Sequence, residues 1–184
     1  MIKAEIITIG DEILYGQITD TNSQWISQEL DKIGVRVVHR STIGDNRDSI
    51  LAAFADAEKR ADIILITGGL GPTNDDLTKP LLAEYFGCGI EMVPEALEAV
   101  RTFFEKRGRE LTDLNRLQAH LPTKCSYVPN DLGTAPGMWF EENGKKWMSM
   151  PGVPHEMKNL MTQHVIPKIK SLFTLPNIYH KVMK

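Results

Sequence analysis

The sequence predicts an α/β fold of three layers, α/β/α, in which a mostly parallel sheet lies between helices and a small hairpin is added. Three observations lead to this prediction. Strand and helix patterns alternate three times between residues 2 and 87, at about thirty residues per unit, as in parallel sheets with right-handed crossovers. Each of the first three strands runs into a loop rich in glycine and aspartate. Farther on, Asn143-Gly144 separates two apolar runs, which is a strong hairpin signal.

The first half of the chain contains three strand–helix units. Three segments rich in β-branched residues are predicted as strands: residues 2–9, 35–42 and 62–67. A helix is expected to start near Asn22, where Thr21 and Gln24 have the spacing of a capping box. The next helix follows Asp45, a candidate cap, and the third starts near Leu77. Both carry apolar residues on one face, so they should pack on the sheet.

The second half of the chain begins with helices and ends with a hairpin and a long helix. Pro94 suits the first turn of one helix, and Thr112 is a candidate cap for a short helix that runs to His120. Short strands are predicted at residues 126–128, 137–140 and 146–150. The last helix starts at Pro154, and Pro167 should kink or end it. Four of its residues are expected to face the core: Met157, Leu160, Met161 and Val165.

Residues 1–170 are predicted to form one domain, and residues 171–184 a tail. The length of 184 residues fits a single domain of ordinary size. In the tail, the segment from Ile178 begins like a strand and then stops. The tail is therefore expected to start a linker to C-terminal domains that this chain lacks.

Composition excludes several classes of protein. With 21 Lys and Arg against 24 Asp and Glu, the formal net charge is −3, so the basic surface of a non-specific nucleic-acid binder is absent from the sequence. No apolar run reaches the roughly 18 residues that cross a membrane, and the N-terminus does not resemble a signal peptide. The chain is expected to be cytoplasmic, with Cys88 and Cys125 as reduced thiols.

Three loops directly follow the first three predicted strands. The carboxyl ends of parallel strands lie at one edge of a sheet, where ligands of doubly wound folds bind. Acidic side chains separated by more than sixty residues in sequence should therefore meet there. The loops are Gly10-Asp11-Glu12, Gly44-Asp45 and residues 68–76.

The third loop is the most informative. Gly68, Gly69 and Gly71 allow the backbone to turn and approach a ligand, and its N–H groups followed by a helix favour a phosphate. Asp75 and Asp76 would repel a bare phosphate, whereas a divalent cation binds carboxylate and phosphate oxygens together. Alternatively, the two aspartates cap the next helix, a role compatible with ligand contact. The loop is neither a Walker A motif nor GxGxxG, so a nicotinamide cofactor is not favoured.

Two later loops, residues 133–137 and 151–154, are short and rich in glycine and proline. The second leads into a helix start, where it could hold an anionic or polar group. Turn formation explains either loop equally well. The five histidines and two cysteines form no zinc-binding pattern.

Four segments carry a resemblance to a known family. AEIITIGDEILYGQITDTNSQWISQEL, TGGLGPTNDDLTKPLLAEYFG, LGTAPGMWF and MPGVPHEM, in that order, closely resemble the N-terminal domain of the CinA (competence/damage-inducible) family over roughly residues 2–170. More distantly, GGLGPTNDDLT is similar to the glycine loop of the MoaB/MogA molybdopterin-binding domains. The resemblance implies the MoaB/MogA-like fold.

The resemblance also implies an activity. The CinA N-terminal domain is assigned a metal-dependent ADP-ribose pyrophosphatase activity, which would hydrolyse ADP-ribose, or a similar nucleotide, to AMP and ribose 5-phosphate. The pterin relatives bind or adenylylate molybdopterin, so a molybdopterin-binding or adenylyl-transfer module is one alternative. A non-catalytic nucleotide-binding regulatory domain is another. Leu70 stands where the pterin enzymes have threonine, which disfavours the pterin alternative.

The resemblance assigns roles to individual residues. Asp45 and Asp76 match the catalytic aspartates of the pterin enzymes. The metal candidates are Asp76, Asp75, Asp45 and Asp11, and the candidates for binding substrate or phosphate are Gly68, Gly69, Gly71, Pro72, Thr73, Gly10, Thr134, Pro151 and Gly152. The expected cofactor is a divalent metal, Mg²⁺, Co²⁺ or Mn²⁺, with K⁺ as a further candidate. The expected partners are a small phosphorylated ligand (ADP-ribose, a nucleotide or molybdopterin) and further copies of the chain, with no membrane and no nucleic acid.

Overall fold

A computed structural model describes residues 1–73 and 75–176. Asn74 and the predicted strand-like segment from Ile178 lie outside the described residues. The strands are β1 (Lys3–Ile9), β2 (Arg36–Ile43), β3 (Ile63–Thr67), β4 (Ile90–Met92), β5 (His120–Pro122), β6 (Ser126–Val128), β7 (Gly137–Glu142) and β8 (Lys145–Met150). The α-helices are α1 (Asp11–Leu14), α2 (Thr21–Lys32), α3 (Arg47–Arg60), α4 (Thr78–Tyr85), α5 (Pro94–Glu105), α6 (Asp113–Arg116), α7 (Pro154–Leu160) and α8 (Ile166–Leu172).

Six strands form the central sheet, in the order β2-β1-β3-β8-β7-β6. The pairs β1–β2, β1–β3 and β3–β8 are parallel, and the pairs β7–β8 and β6–β7 are antiparallel. The predicted mostly parallel sheet is confirmed. The hairpin, however, is not an addition to it, because β8 lies beside β3, with Thr67 opposite Met150. Asn143 and Gly144 form its turn, both with positive φ, as the Asn-Gly pair predicts.

Helices cover both faces of the sheet, which gives the predicted three layers. Side chains of β3 alternate between the faces: Ile64 and Ile66 pack toward α3 and α4, whereas Ile63 and Leu65 pack toward α2, α7 and α8. All five residues of β3 are buried. Each fully buried aliphatic side chain of this kind stabilises the fold by about 1.5–3 kcal/mol. The strands that end at the loops are thus held rigidly from both sides.

The last helix is continuous and irregular. A π-helical turn, Met161–Val165, separates α7 from α8, and Pro167 lies in the first turn of α8. The irregularity predicted for Pro167 thus takes the form of a π turn, and the helix does not end there. The four residues expected to face the core do so: Met157, Leu160, Met161 and Val165 are buried. Phe173 and Leu175 also pack on this core, so the packed chain continues past the predicted boundary at residue 170.

A second, two-stranded sheet was not predicted. Strands β4 and β5 pair antiparallel, with Ile90 opposite Pro122, and the segment predicted as helix up to His120 ends one residue earlier in a 3₁₀ turn. Each strand has only three residues, too few for a period of two to be read. No helix within residues 1–73 and 75–176 is long and apolar enough to cross a membrane.

Candidate functional site

The carboxyl ends of β1, β2, β3 and β8 lie side by side, and we call this edge of the sheet the rim. The Gly10 N–H donates to the carbonyl of Ile43 at 3.0 Å, which joins the end of β1 to that of β2. The Gly68 N–H donates to the carbonyl of Met150 at 3.1 Å, which joins the end of β3 to that of β8. The rim therefore gathers the three loops predicted to converge and adds a fourth, Pro151-Gly152.

Asp11 and Asp45 interlock at the rim. The Asp11 N–H donates to Asp45 Oδ2, and the Asp45 N–H donates to Asp11 Oδ1, both at 3.1 Å. Asp45 is therefore not the cap of α3, as its position had suggested. Asn46 is the cap, and its side chain accepts from the Ser49 N–H. The two predicted metal candidates are thus held together by each other's backbone.

The charge on Asp45 is unfavourable where it lies. Burial raises the pKa of Asp45 above its ordinary value of 3.8; the hydrogen bond from Asp11 opposes this, and the negative charges of Asp11, Glu12 and Asp76 raise the pKa further. Three other carboxylates thus act on one partly buried carboxyl group. Such a concentration of negative charge is typical of a functional site.

Asp76 closes the third loop on itself. Its Oδ1 accepts from the Gly71 N–H at 2.8 Å, and its Oδ2 accepts from the Thr73 N–H at 3.0 Å and the Thr73 hydroxyl at 2.5 Å. The N–H groups predicted to bind phosphate therefore hold a carboxylate in this structure. Asp76 does not cap α4, whose N-cap residue is Leu77 without a side-chain hydrogen bond. The loop nevertheless has the geometry to bind an oxyanion.

Gly68 needs to be glycine at its position. Its φ is +104°, and a methyl group there would overlap the carbonyl oxygen of Ile9. A Cβ added to Gly152 would lie 3.4 Å from the Cα of Gly68, an ordinary contact distance, so the two loops pass close to each other. At Gly68 a side chain would instead collide with the end of β1, at the Ile9 carbonyl.

The remaining predicted residues lie around this centre. Pro72, Thr73 and Asp75 belong to the outer part of the third loop, where Thr73 and Asp75 are exposed. Gly69 adjoins Thr78, whose hydroxyl donates to the carbonyl of Gly68 at 2.9 Å. The neighbouring Leu70 side chain is buried in the core, so it lines no ligand site.

Thr134 lies in the loop between β6 and β7, which follows the end of β6 at the same edge of the sheet as the rim. It lines a small hollow with Val100 and Tyr127. The loop is fixed by Asn130, whose amide donates to the carbonyl of Ala135 at 2.8 Å. The structure places Thr134 near the rim without joining it to the aspartates.

Two residues at the site were not predicted. Asn22, at the predicted start of the helix, is buried and donates from Nδ2 to Thr67 Oγ1 at 3.1 Å and to the Gly152 carbonyl at 2.7 Å. The cap of α2 is Asp20, not Thr21. Lys79 is half-buried, and its Nζ donates to the carbonyl of Leu117 at 2.9 Å. Burial lowers the pKa of Lys79 to about 8, against the opposing effect of the Asp76 charge.

A metal at the rim would need rearrangement. In residues 1–73 and 75–176, no group of three or more His, Cys, Asp or Glu side chains is arranged to hold a metal ion. Both oxygens of Asp76 accept hydrogen bonds from the loop. Asp11 and Asp45 are the carboxylates already held side by side.

This arrangement defines a class: an α/β domain with the MoaB/MogA-like fold, in which loops from four strands meet at the rim. MoaB of Thermus thermophilus, a molybdopterin biosynthesis enzyme, superposes with a TM-score of 0.60 over 94% of this chain and 96% of its own, at 21% identity. A likeness at that identity concerns the fold alone.

The chain belongs to the CinA family. The family model described as "Probable molybdopterin binding domain" matches residues 5–171. The structure of CinA from Thermoplasma acidophilum, described as a protein of unknown function, superposes with a TM-score of 0.81 at 34% identity, covering 91% of this chain and 96% of that one. CinA-like proteins of Cytophaga hutchinsonii and Flavobacterium psychrophilum are 49% and 44% identical over 100% and 99% of this chain. The chain spans 44% of the length of each.

Proposed function

We propose that the rim binds a phosphorylated pterin of the molybdopterin type. The observation that carries the proposal is the meeting of the glycine loops at residues 68–71 and 151–152 with Asp45, in a chain that matches a molybdopterin-binding family model. A ligand at the carboxyl ends of parallel strands is the common arrangement in open α/β sheets. A chain that binds the pterin in this way could also transfer an adenylyl group to it.

The third loop supplies the phosphate contacts in this proposal. The N–H groups of Gly71 and Thr73 already converge on two oxygens of one carboxylate. A phosphate presents oxygens of similar spacing, so it could replace Asp76 at the same donors. The Asp76 carboxylate would then be free to turn toward Asp45. The loop would change from a form that binds its own carboxylate to a form that binds the phosphate of the ligand.

The donor set fits a divalent cation once that release occurs. The candidates are Asp45 and Asp11, with Asp76 and Asp75, all of them hard oxygen donors suited to Mg²⁺, Mn²⁺ or Co²⁺. When bound, the cation would neutralise negative charge on a phosphate group. Part of the rise in the pKa of Asp45, beyond the larger effect of burial, comes from repulsion by neighbouring carboxylates, which a cation would relieve. K⁺ has no donor set of its own in this proposal.

A second candidate function is hydrolysis of the pyrophosphate of ADP-ribose to AMP and ribose 5-phosphate. The observation that favours it is the concentration of carboxylates around Asp45, which could hold a cation and orient water. Asp45 and Asp76 would hold the cation and orient water. Both functions concern this chain alone, because it spans less than half the length of its relatives.

A ligand panel tests the proposal. Thermal melts would be recorded with molybdopterin, ADP-ribose, AMP and ATP, each with and without Mg²⁺, Mn²⁺ or Co²⁺, and with K⁺ varied separately. A ligand at a hundred times its Kd stabilises the folded chain by about 2.7 kcal/mol, a readily measured shift. Stabilisation by molybdopterin that is lost in Asp76→Asn and Asp45→Asn supports the pterin proposal. Release of AMP from ADP-ribose selects the hydrolase instead, and no response from any compound contradicts both.

A further inference from the structure

A buried amide connects the two glycine loops of the rim. Asn22 lies in the first turn of α2, and only 4% of its surface is exposed. Its Nδ2 donates to the Thr67 hydroxyl, at the end of β3, and to the carbonyl of Gly152, in the loop after β8. We call these three residues, Asn22, Thr67 and Gly152, the clamp. The clamp joins three segments that are up to 130 residues apart in sequence.

The orientation of the Asn22 amide is fixed by its neighbours. The carbonyl of Gly152 can only accept, so the atom 2.7 Å from it must be the amide nitrogen. The Thr67 hydroxyl donates its proton to the carbonyl of Pro151 at 3.0 Å, so toward Asn22 it accepts. Both N–H donors of the amide are therefore used.

The clamp sets the distance between the loops. Gly68 and Gly152 lie so close that a Cβ built on Gly152 would be 3.4 Å from the Cα of Gly68, and Gly68 directly follows Thr67. Without the clamp amide, the Gly152 carbonyl would lose its hydrogen bond. Two hydrogen bonds would still join this part of the chain to β3 and Gly68: Thr67 hydroxyl to Pro151 carbonyl, and Gly68 N–H to Met150 carbonyl. The loop would then be free to move away from Gly68, since loops have few contacts that resist displacement.

Stability alone does not account for an asparagine here. The helix is already capped by Asp20, whose Oδ1 accepts from the Ser23 N–H at 2.9 Å. The Oδ1 of Asn22 is buried and has no hydrogen-bond partner among the described residues. A buried acceptor left unpaired is unfavourable. The unpaired oxygen is therefore the cost of placing an NH₂ group between Thr67 and Gly152.

We propose that Asn22 is the positioning residue of the ligand site: through Thr67 and Gly152 it holds the two glycine loops at the spacing that a bound phosphorylated ligand requires. The inference rests on the proposed function for its ligand, and it adds a residue that touches no ligand itself. Loss of the amide donors should widen the gap between the loops and weaken binding, while α2 stays folded on its own cap.

Two variants and a matched control test the clamp. Asn22→Asp keeps the size of the side chain and removes the NH₂ group, and Thr67→Val keeps the shape of threonine and removes its hydroxyl. Ser23→Ala changes the next residue of the same helical turn, which is similarly buried, and leaves the clamp intact. Amide hydrogen exchange would be measured by peptide, together with affinity for molybdopterin, AMP and ADP-ribose in the presence of Mg²⁺.

Asn22→Asp should speed exchange in residues 67–71 and 150–153 but not elsewhere in the sheet. It should lower ligand affinity roughly twofold to thirtyfold, the range expected of a residue that acts on a site without touching the ligand. Thr67→Val should act in the same direction. The proposal would be overturned if Asn22→Asp matched Ser23→Ala in exchange of the two segments, or in affinity for a ligand that the unmodified chain binds.

The exchange measurement separates this inference from the proposed function. If the unmodified chain binds no compound of the panel, the proposed function fails, and the clamp is still decided by exchange in the two segments. If the chain binds a ligand and Asn22→Asp binds it equally well, the clamp proposal fails and the proposed function stands. If Asn22→Asp does not fold, hydrogen exchange and ligand affinity are measured on Thr67→Val instead, and the same outcomes apply.

Discussion

At the scale of single residues, Asp45 carries a charge that the folded chain accommodates poorly. Burial, followed by repulsion from Asp11, Glu12 and Asp76, raises the pKa of Asp45 above 3.8. The folded chain therefore keeps this proton over a pH range in which the unfolded chain has lost it, and stability falls as pH rises through that range. The penalty is fully present above the raised pKa.

Replacing Asp45 should therefore separate stability from function. Asn can still accept the hydrogen bond from Asp11, so Asp45→Asn should raise the melting temperature at pH 7 by about 1–2 °C, a small effect because the charges are partly screened by solvent. The same variant should lose ligand-induced stabilisation. Asp131→Asn, at an exposed position, is the control and should change neither quantity. A lower melting temperature in Asp45→Asn would show that its charge is favourable after all.

Lys79 predicts a pH dependence of opposite sign. Burial lowers the pKa of Lys79 from 10.5 to about 8, so between these values the unfolded chain binds a proton that the folded chain does not. The contribution of Lys79 to stability thus rises with pH from 8 to 10.5. In urea unfolding, wild type should gain free energy relative to Lys79→Met across this window. Lys106→Met, at an exposed lysine, should show a constant difference, and a constant difference for Lys79→Met would refute the prediction.

The position of a residue after a strand was predictable, whereas its partners were not. Asp11 and Asp45 follow β1 and β2, so the sequence placed both at one edge of the sheet, as found. Asn22 was missed because its partners lie at residues 67 and 152. A local sequence pattern carries no information about contacts between residues so far apart in the chain. A polar residue at a position of α2 that faces the sheet, beside Ile26 and Leu30, was the available signal.

At the scale of elements, α2 offers a direct test of helix capping. Asp20 accepts from the Ser23 N–H and from the Thr8 hydroxyl, so it ties the helix to β1 as well as capping it. Asp20→Ala should lower the free energy of unfolding by about 1–2 kcal/mol. Thr21→Ala should stay within about 0.5 kcal/mol of wild type, since Thr21 is exposed. Urea unfolding of both variants checks this, and the reverse order of effects would restore Thr21 as the cap.

Long elements were predictable, and short ones only in part. β1, β3 and the start of α5 were found within a few residues of their predicted positions, because a sustained apolar pattern marks them. The three-residue strand β6 was found where it was predicted, whereas β4 and β5 were missed; β4 is exposed throughout, so it carries no buried face to indicate it. The hairpin was recognised from its turn, yet its place beside β3 depends on a pairing between residues 63–67 and 146–150 that no turn reveals.

At the scale of the whole molecule, the site is a product of sheet order. β8 adds the Pro151-Gly152 loop to the rim only because it lies next to β3 and runs parallel to it. Hydrophobic patterns indicated that strands would be buried but not which strands would be neighbours. The family resemblance indicated that residues 151–154 lie beside the site, and the geometry of the sheet gives the reason.

The surface of the molecule leads to a prediction about assembly. Between β1 and α2, the apolar side chains of Leu14, Tyr15 and Ile18 are 48%, 69% and 53% exposed; we call them the β1–α2 patch. Single exposed apolar residues are ordinary, but three within five positions are typical of an interface. We therefore expect the 20.7 kDa chain to self-associate through this patch, beside the rim.

Light scattering coupled to size exclusion would measure the molar mass. Wild type should exceed the mass of one chain at micromolar concentration, and the double variant Tyr15→Ser with Ile18→Ser should return to it, because the apolar area that drives association is removed. The matched control, Leu114→Ser with Leu117→Ser, removes two similarly exposed side chains elsewhere and should keep the wild-type mass. A monomeric wild type would exclude self-association at that concentration. A control that alone became monomeric would move the interface to the segment around α6.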